Sequence, residues 1–160
     1  MATLNISDLS VGDWVQDNYG DYIKVAGMWQ GHDFNYRVDL LRNGAIGTCL
    51  PCNIRPIPIT AEVLEKNGIE RKQYTIDIDD VQEIEYDGYR HILYQDGVQY
   101  DIILVDSCGG YFDLEIESSH RDEDGDRILI SSNLSLDYVE FVHQLQHALR
   151  LAGVEKEINL

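Results

Sequence analysis

Apolar positions along the first sixty residues recur in short alternating runs broken by turn-forming pairs, the pattern of small β-strands. Val11-Gly12-Asp13-Trp14-Val15 opens the series and Tyr22-Ile23-Lys24-Val25-Ala26 follows. Tyr36 to Leu41 then faces Ala45 to Leu50 across Asn43-Gly44, the dipeptide best suited to a two-residue type I′ turn. Strands this short and this evenly spaced predict an SH3-like or small curled β unit. Ile54 to Ile59 alternates with Pro56 and Pro58, as an edge strand or an extended connector does.

Thr60 to Gly68 predicts a short helix: Thr60 as N-cap, Glu62 in the first turn, Lys66 near the end and Gly68 in the left-handed position that closes it. From 73 to 131 the period is two. Ile76 and Ile78 alternate with Asp77 and Asp79; Phe112, Leu114 and Ile116 alternate with Asp113, Glu115 and Glu117. That is an antiparallel meander with one packed and one solvated face. Asp87-Gly88, Asp96-Gly97 and Asp124-Gly125 are its turn signals, and the wholly apolar Ile102 to Val105 its central strand. From Leu136 to Ala152 the period lengthens to that of a helix. Tyr138, Phe141, Val142, Leu145, Ala148, Leu149 and Ala152 fall on one stripe, and Gly153 ends it. The expected fold is α+β: the β unit, the short helix, then the antiparallel meander packed by the C-terminal helix. It is expected as one compact domain over 1–160, with 1–59 and 60–160 as two subdomains the alternative.

Charge adds a contrast between the halves. The chain carries 29 acidic and 12 basic residues, a formal −17. Residues 73–128 hold 16 of the acids against three bases. A chain this negative repels nucleic acid and anionic lipid, so direct binding to either is not expected. No run approaches 18 apolar residues and the first ten lack a signal-peptide pattern, so a cytoplasmic location is expected. The three cysteines, Cys49, Cys52 and Cys108, are then expected reduced.

Three segments occur in an order that resembles a known group. They are Leu9-Ser10-Val11-Gly12-Asp13-Trp14-Val15, Ile57-Pro58-Ile59-Thr60 leading to Asn67-Gly68-Ile69, and Tyr138-Val139-Glu140-Phe141-Val142-His143-Gln144-Leu145-Gln146. Together they resemble small uncharacterised proteins encoded by phages and mobile elements of Bacteroidota. This chain departs from that pattern at Asp13, Val63 and His147. The resemblance implies a genomic setting, a bacterial host cell, rather than a mechanism.

Several constellations invite chemistry. His143 and His147 stand four apart on the predicted helix, with Glu140 three before, so one ion could be shared among them. The zinc-protease motif would need Glu where Gln144 stands, and the arc holding these residues is expected to face solvent, opposite the apolar stripe. Cys49-Leu50-Pro51-Cys52 is half of a zinc-binding set, with Cys108, His91 and His120 to complete it, or a pair of ordinary strand cysteines. Cys108-Gly109-Gly110 could set a thiol at a strand end. Asp122-Glu123-Asp124-Gly125-Asp126 lacks the EF-hand spacing and reads as a solvated loop or a loose cation site. Ten tyrosines with Trp14 and Trp29 suit a binding surface.

The expected function is therefore binding to a host or phage protein as a non-catalytic accessory protein, with no catalytic residue assigned and no cofactor. One alternative is an acidic inhibitor of a host defence or nucleic-acid-binding protein. Asp113, Glu115 and Glu117, with Asp122, Asp124 and Asp126, would imitate phosphates, because strands about 4.8 Å apart space carboxylates near the phosphate pitch. The other alternative is a metal-dependent hydrolase using Glu140, His143 and His147.

Overall fold

The computed structural model of the chain describes residues 4–77, 83–107 and 110–160. It divides into two compact units. The first takes residues up to Pro58 together with Phe141–His147 and Leu160; the second takes Ile59–Glu140 and Ala148–Asn159.

The first unit is a five-stranded antiparallel sheet of β1 (Trp14–Asp17), β2 (Tyr22–Gln30), β3 (Tyr36–Arg42), β4 (Ala45–Cys49) and β5 (Ile54–Arg55). The strand order is β4-β3-β2-β1-β5, with a 3-10 turn at Pro51–Asn53 just before β5. Alternation sends Val15, Ile23, Val25, Val38 and Leu40 to one face, where Leu9 and Ile54 complete a buried cluster. Asn43 and Gly44 both sit at positive φ, 50° and 81°, the type I′ geometry that the dipeptide predicts. A register shift between Val25 and Gly27 bends β2 against β3.

The second unit begins with α1 (Ala61–Lys66). Thr60 accepts the Val63 N–H, Gly68 takes φ +71°, and the Ile69 N–H closes on the Leu64 carbonyl at 2.9 Å. Its strands are β6 (Glu70–Asp77), β7 (Glu83–Gln95), β8 (Val98–Asp106), β9 (Phe112–Arg121) and β10 (Arg127–Val139). They pair antiparallel in the order β10-β9-β8-β7-β6, which places Ile102 to Val105 on the middle strand as its apolar run predicts. Ile102, Leu104, Phe112, Leu114 and Ile116 line the buried face. The Asn67 amide donates to the Asn159 carbonyl at 2.9 Å and accepts its N–H at 2.8 Å, and Gln95 similarly holds Gly153 and Glu155.

Two expectations about elements are corrected. Asp87-Gly88 is not a turn. It lies inside β7, where Gly88 is buried between Lys72 and Val105, and Arg71 reaches across to the Asp87 carboxylate at 2.7 Å. The β6–β7 connection falls on 78–82, so Ile78 and Asp79 lie outside the described residues. The last helix, α2, runs Val142–Leu151 rather than from Leu136. Leu134 and Leu136 still obey a period of two and pair with Ile116 and Leu114, and β10 continues past Tyr138, at φ +64°, to Val139, which pairs with Phe112. The start of α2 is fixed by Gln144, whose side chain accepts the Phe141 N–H at 3.0 Å, and by the Val142 N–H bonding the Ile57 carbonyl at 2.9 Å. Its first residues belong to the first unit and its last to the second. Among the described residues no helix is long and apolar enough to cross a membrane.

Candidate functional site

The predicted histidine face is not a solvated one. His143 is only 2% exposed and Gln146 is buried with it, because nearly the whole circumference of α2 is covered. The polar side chains on the covered side serve partners within the first unit. Gln146 accepts the Trp14 N–H at 3.2 Å, and His147 Nε2 stands 2.8 Å from the Asp13 carboxylate, itself fully buried. Asp13 also accepts the Ser10 N–H at 2.7 Å. Phe141 stacks on His143, and the His143 and His147 rings meet edge to face with centroids 6.3 Å apart. Burial pushes the His143 imidazole below its ordinary range, with the Asp13 charge working against that shift. Glu140 is exposed and belongs to the second unit, the two histidines to the first. Among the described residues no group of three or more His, Cys, Asp or Glu is gathered to hold an ion. The partner sequence reasoning missed is Asp13, more than a hundred positions from His147 and carrying no local signal.

The carboxylates proposed as phosphate imitators are placed on β9 and on the turn after it. Asp113 accepts the Ser107 hydroxyl, and Glu117 is bound by Arg127 at 3.1 Å. Only Glu115 of the three is exposed. Beside Glu117, across the sheet, Asp101 is 1% exposed and held by both nitrogen arms of Arg90, with Arg127 3.9 Å away. Negative charge on this face is thus matched locally by two arginines. In the turn, Asp122 points inward and accepts the N–H groups of Asp124 and Asp126 at 3.1 and 2.8 Å, while Asp124 and Asp126 are exposed. Cys49 is half-buried and Cys52 exposed, both as free thiols; burial, then the neighbouring Cys52, pushes the Cys49 thiol up. Cys108 and Gly109 lie outside the described residues. His91 Nδ1 lies 2.7 Å from the Gly68 carbonyl, and His120 is exposed.

Three exposed aromatic rings of the first unit gather on the β2–β3 hairpin. Trp29 is 47% exposed, Tyr36 51% and Phe34 82%. Ile6, Leu9, Met28, Trp29 and Tyr36 line a shallow cleft of about 280 Å³ there. The tip itself is tightly wired. Gly31 donates to the Asn35 carbonyl at 2.8 Å, Phe34 to Gly31 at 3.0 Å, and the Gln30 amide to Phe34 at 3.0 Å. Asp33 gathers the Asn35 backbone and amide and the Arg37 guanidinium; these bonds, the Asn35 amide foremost, hold its carboxyl down to about 2. Phe34 is thereby fixed at φ +60°, a left-handed conformation that costs a bulky residue about 1–2 kcal/mol.

On the same sheet, Ile23 and Leu40 line a second cleft of about 500 Å³ together with Asp17, Arg42, Gly47 and Thr48. Arg42 is paired to Asp17 and, at 3.0 Å, to Asp21. Burial raises the Asp17 carboxyl, but the N–H groups of Asp21 and Tyr19 together with Arg42 outweigh it and keep it low. Comparison with protein-family models, curated proteins and solved structures found no match to the chain.

Proposed function

We propose that this chain is a non-catalytic accessory protein of a phage or mobile element that binds another protein through the exposed aromatic hairpin of its N-terminal unit. The observation that carries this reading is Phe34. An apolar ring is held almost wholly in water on a strained backbone, and the surrounding hydrogen bonds spend themselves on keeping it there. Strain and exposure together are what a pre-organised contact residue looks like before its partner arrives. Trp29 and Tyr36 beside it supply broad, stiff contact area.

Two further observations support it. The order β4-β3-β2-β1-β5 with a 3-10 turn before β5 agrees with an SH3-like curled sheet, a scaffold whose binding residues sit on loops. The histidines that an enzyme reading would use are engaged in burying Asp13 and stacking on Phe141.

The test compares proteins captured from a bacterial host lysate by the wild-type chain and by Phe34→Gly. Glycine adopts the same φ without strain, so the variant keeps its fold and loses only the ring. Proteins enriched by the wild type and lost from Phe34→Gly and from Trp29→Ala support the hairpin. Identical capture by all three chains overturns it.

A further inference from the structure

The two sheets have four edge strands, and three are guarded. β5 is two residues long and followed by Pro56. β6 opens with Glu70, Arg71 and Lys72, all exposed. β10 breaks its register twice, at Ile130/Leu134 and Leu136/Val139. Short length, proline, charge and bulges are the devices that stop a foreign strand from adding to an edge. β4 has none of them within its five residues, although Pro51 follows two positions beyond. Its sequence Ala-Ile-Gly-Thr-Cys is uncharged, it pairs with β3 residue for residue without a shift, and Ile46 is 66% exposed.

The register says which groups face outward. The two-residue turn makes Arg42 and Ala45 a hydrogen-bonded pair, so Leu41/Ile46 and Asp39/Thr48 are the non-bonded pairs of the ladder. The N–H and C=O groups of Ile46 and Thr48 therefore point away from β3. Between them Gly47 lies opposite Leu40, on the face that carries the 500 Å³ cleft. A Cβ on Gly47 would meet nothing within 4 Å, so this is where the edge lacks a side chain.

We propose that β4 accepts an extended strand from a different protein, uncharged or basic, whose large apolar side chain beside Gly47 fills the cleft over Ile23 and Leu40. Main-chain pairing to Ile46 and Thr48 supplies affinity and the cleft supplies selectivity. A second copy of this chain is disfavoured as occupant because it would bring a second −17 to the same contact. The edge is distinct from the Phe34 hairpin, and the proposal stands or falls without it.

The probe is a displayed library of random linear peptides of about ten residues, long enough for one strand. The tightest peptide selected on the full chain is expected to slow amide exchange at Ile46 and Thr48 by about tenfold or more. It is also expected to weaken by about tenfold or more against Ile46→Pro and, independently of any folding defect at that position, against Gly47→Leu. Gly47 is not at positive φ and has room for the new side chain, so that variant keeps the sheet. The proposal is overturned if no peptide is selected, if protection maps elsewhere, or if both β4 variants bind normally. Concentration-dependent dimerisation abolished by Ile46→Pro also overturns it, since the edge then belongs to a second copy.

Discussion

The two halves of this chain treat exposure in opposite ways. The first sixty residues hold six acids and four bases, and they turn Trp29, Phe34 and Tyr36 outward on the β2–β3 hairpin and Ile46 outward on β4. Residues 61–160 hold 23 acids and eight bases, yet part of that charge is turned inward, with Asp101 buried and bound by arginine. Net charge is therefore a poor guide to where a partner would bind. The acid-rich sheet uses several of its carboxylates to hold itself together, and the less charged sheet leaves apolar groups unused by its own fold.

The sharpest break of that comparison is at Arg90. Among the described residues, Arg90→Leu leaves buried Asp101 with Arg127, 3.9 Å away, as its paired cation, and should lower stability by about 3 kcal/mol in chemical denaturation. A loss no greater than that of a surface pair would mean the acidic sheet does not depend on its own charges. Phe34→Gly works in the other direction. Releasing the left-handed ring should raise stability by up to about 1 kcal/mol, although a contact-forming residue is removed. Glu115→Lys, on an exposed carboxylate, should change stability by less than about 0.5 kcal/mol and leave captured partners unchanged; lost capture would revive the phosphate-imitating role of Asp113, Glu115 and Glu117.

The mildest effect is a slope with pH. Burial lowers the folded-state pKa of His143, and likewise of His91, below the ordinary 6.5. The unfolded chain thus takes up protons first as pH falls, and stability should decline from about pH 6.5 downward, before carboxylates begin to titrate. His143→Gln should flatten that slope in denaturation curves between pH 7 and 5, and an unchanged slope would assign it to other groups.

Local chemistry was legible in the sequence where one residue type alone can satisfy the backbone. Asn43-Gly44, Asp96-Gly97, Gly125 and Gly68 all take a positive φ, and all were readable. Asp87-Gly88 carries the same letters but is overruled by its neighbours on both sides in the sheet. The start of α2 was hidden because Leu134 and Leu136 fit either period, and only pairing with β9 decides between them. The binding candidates were legible by type, as an excess of Tyr and Trp, but not by place. Nothing local marks Phe34 as an exposed ring, or separates β4 from the guarded edges, since strand order is a property of the whole sheet. The Asp13–His147 contact was unreadable for the same reason.

Long-range clasping also has a consequence for how the protein is made. Trp14 waits for Gln146, Ile57 for Val142, and Asn67 for Asn159. During synthesis both β-sheets leave the ribosome before the residues that complete these hydrogen bonds do. Neither unit can finish its own polar pairing until translation has passed position 147 for the first and 159 for the second. A stall before Gln146 would therefore release both sheets without the hydrogen bonds that clasp them.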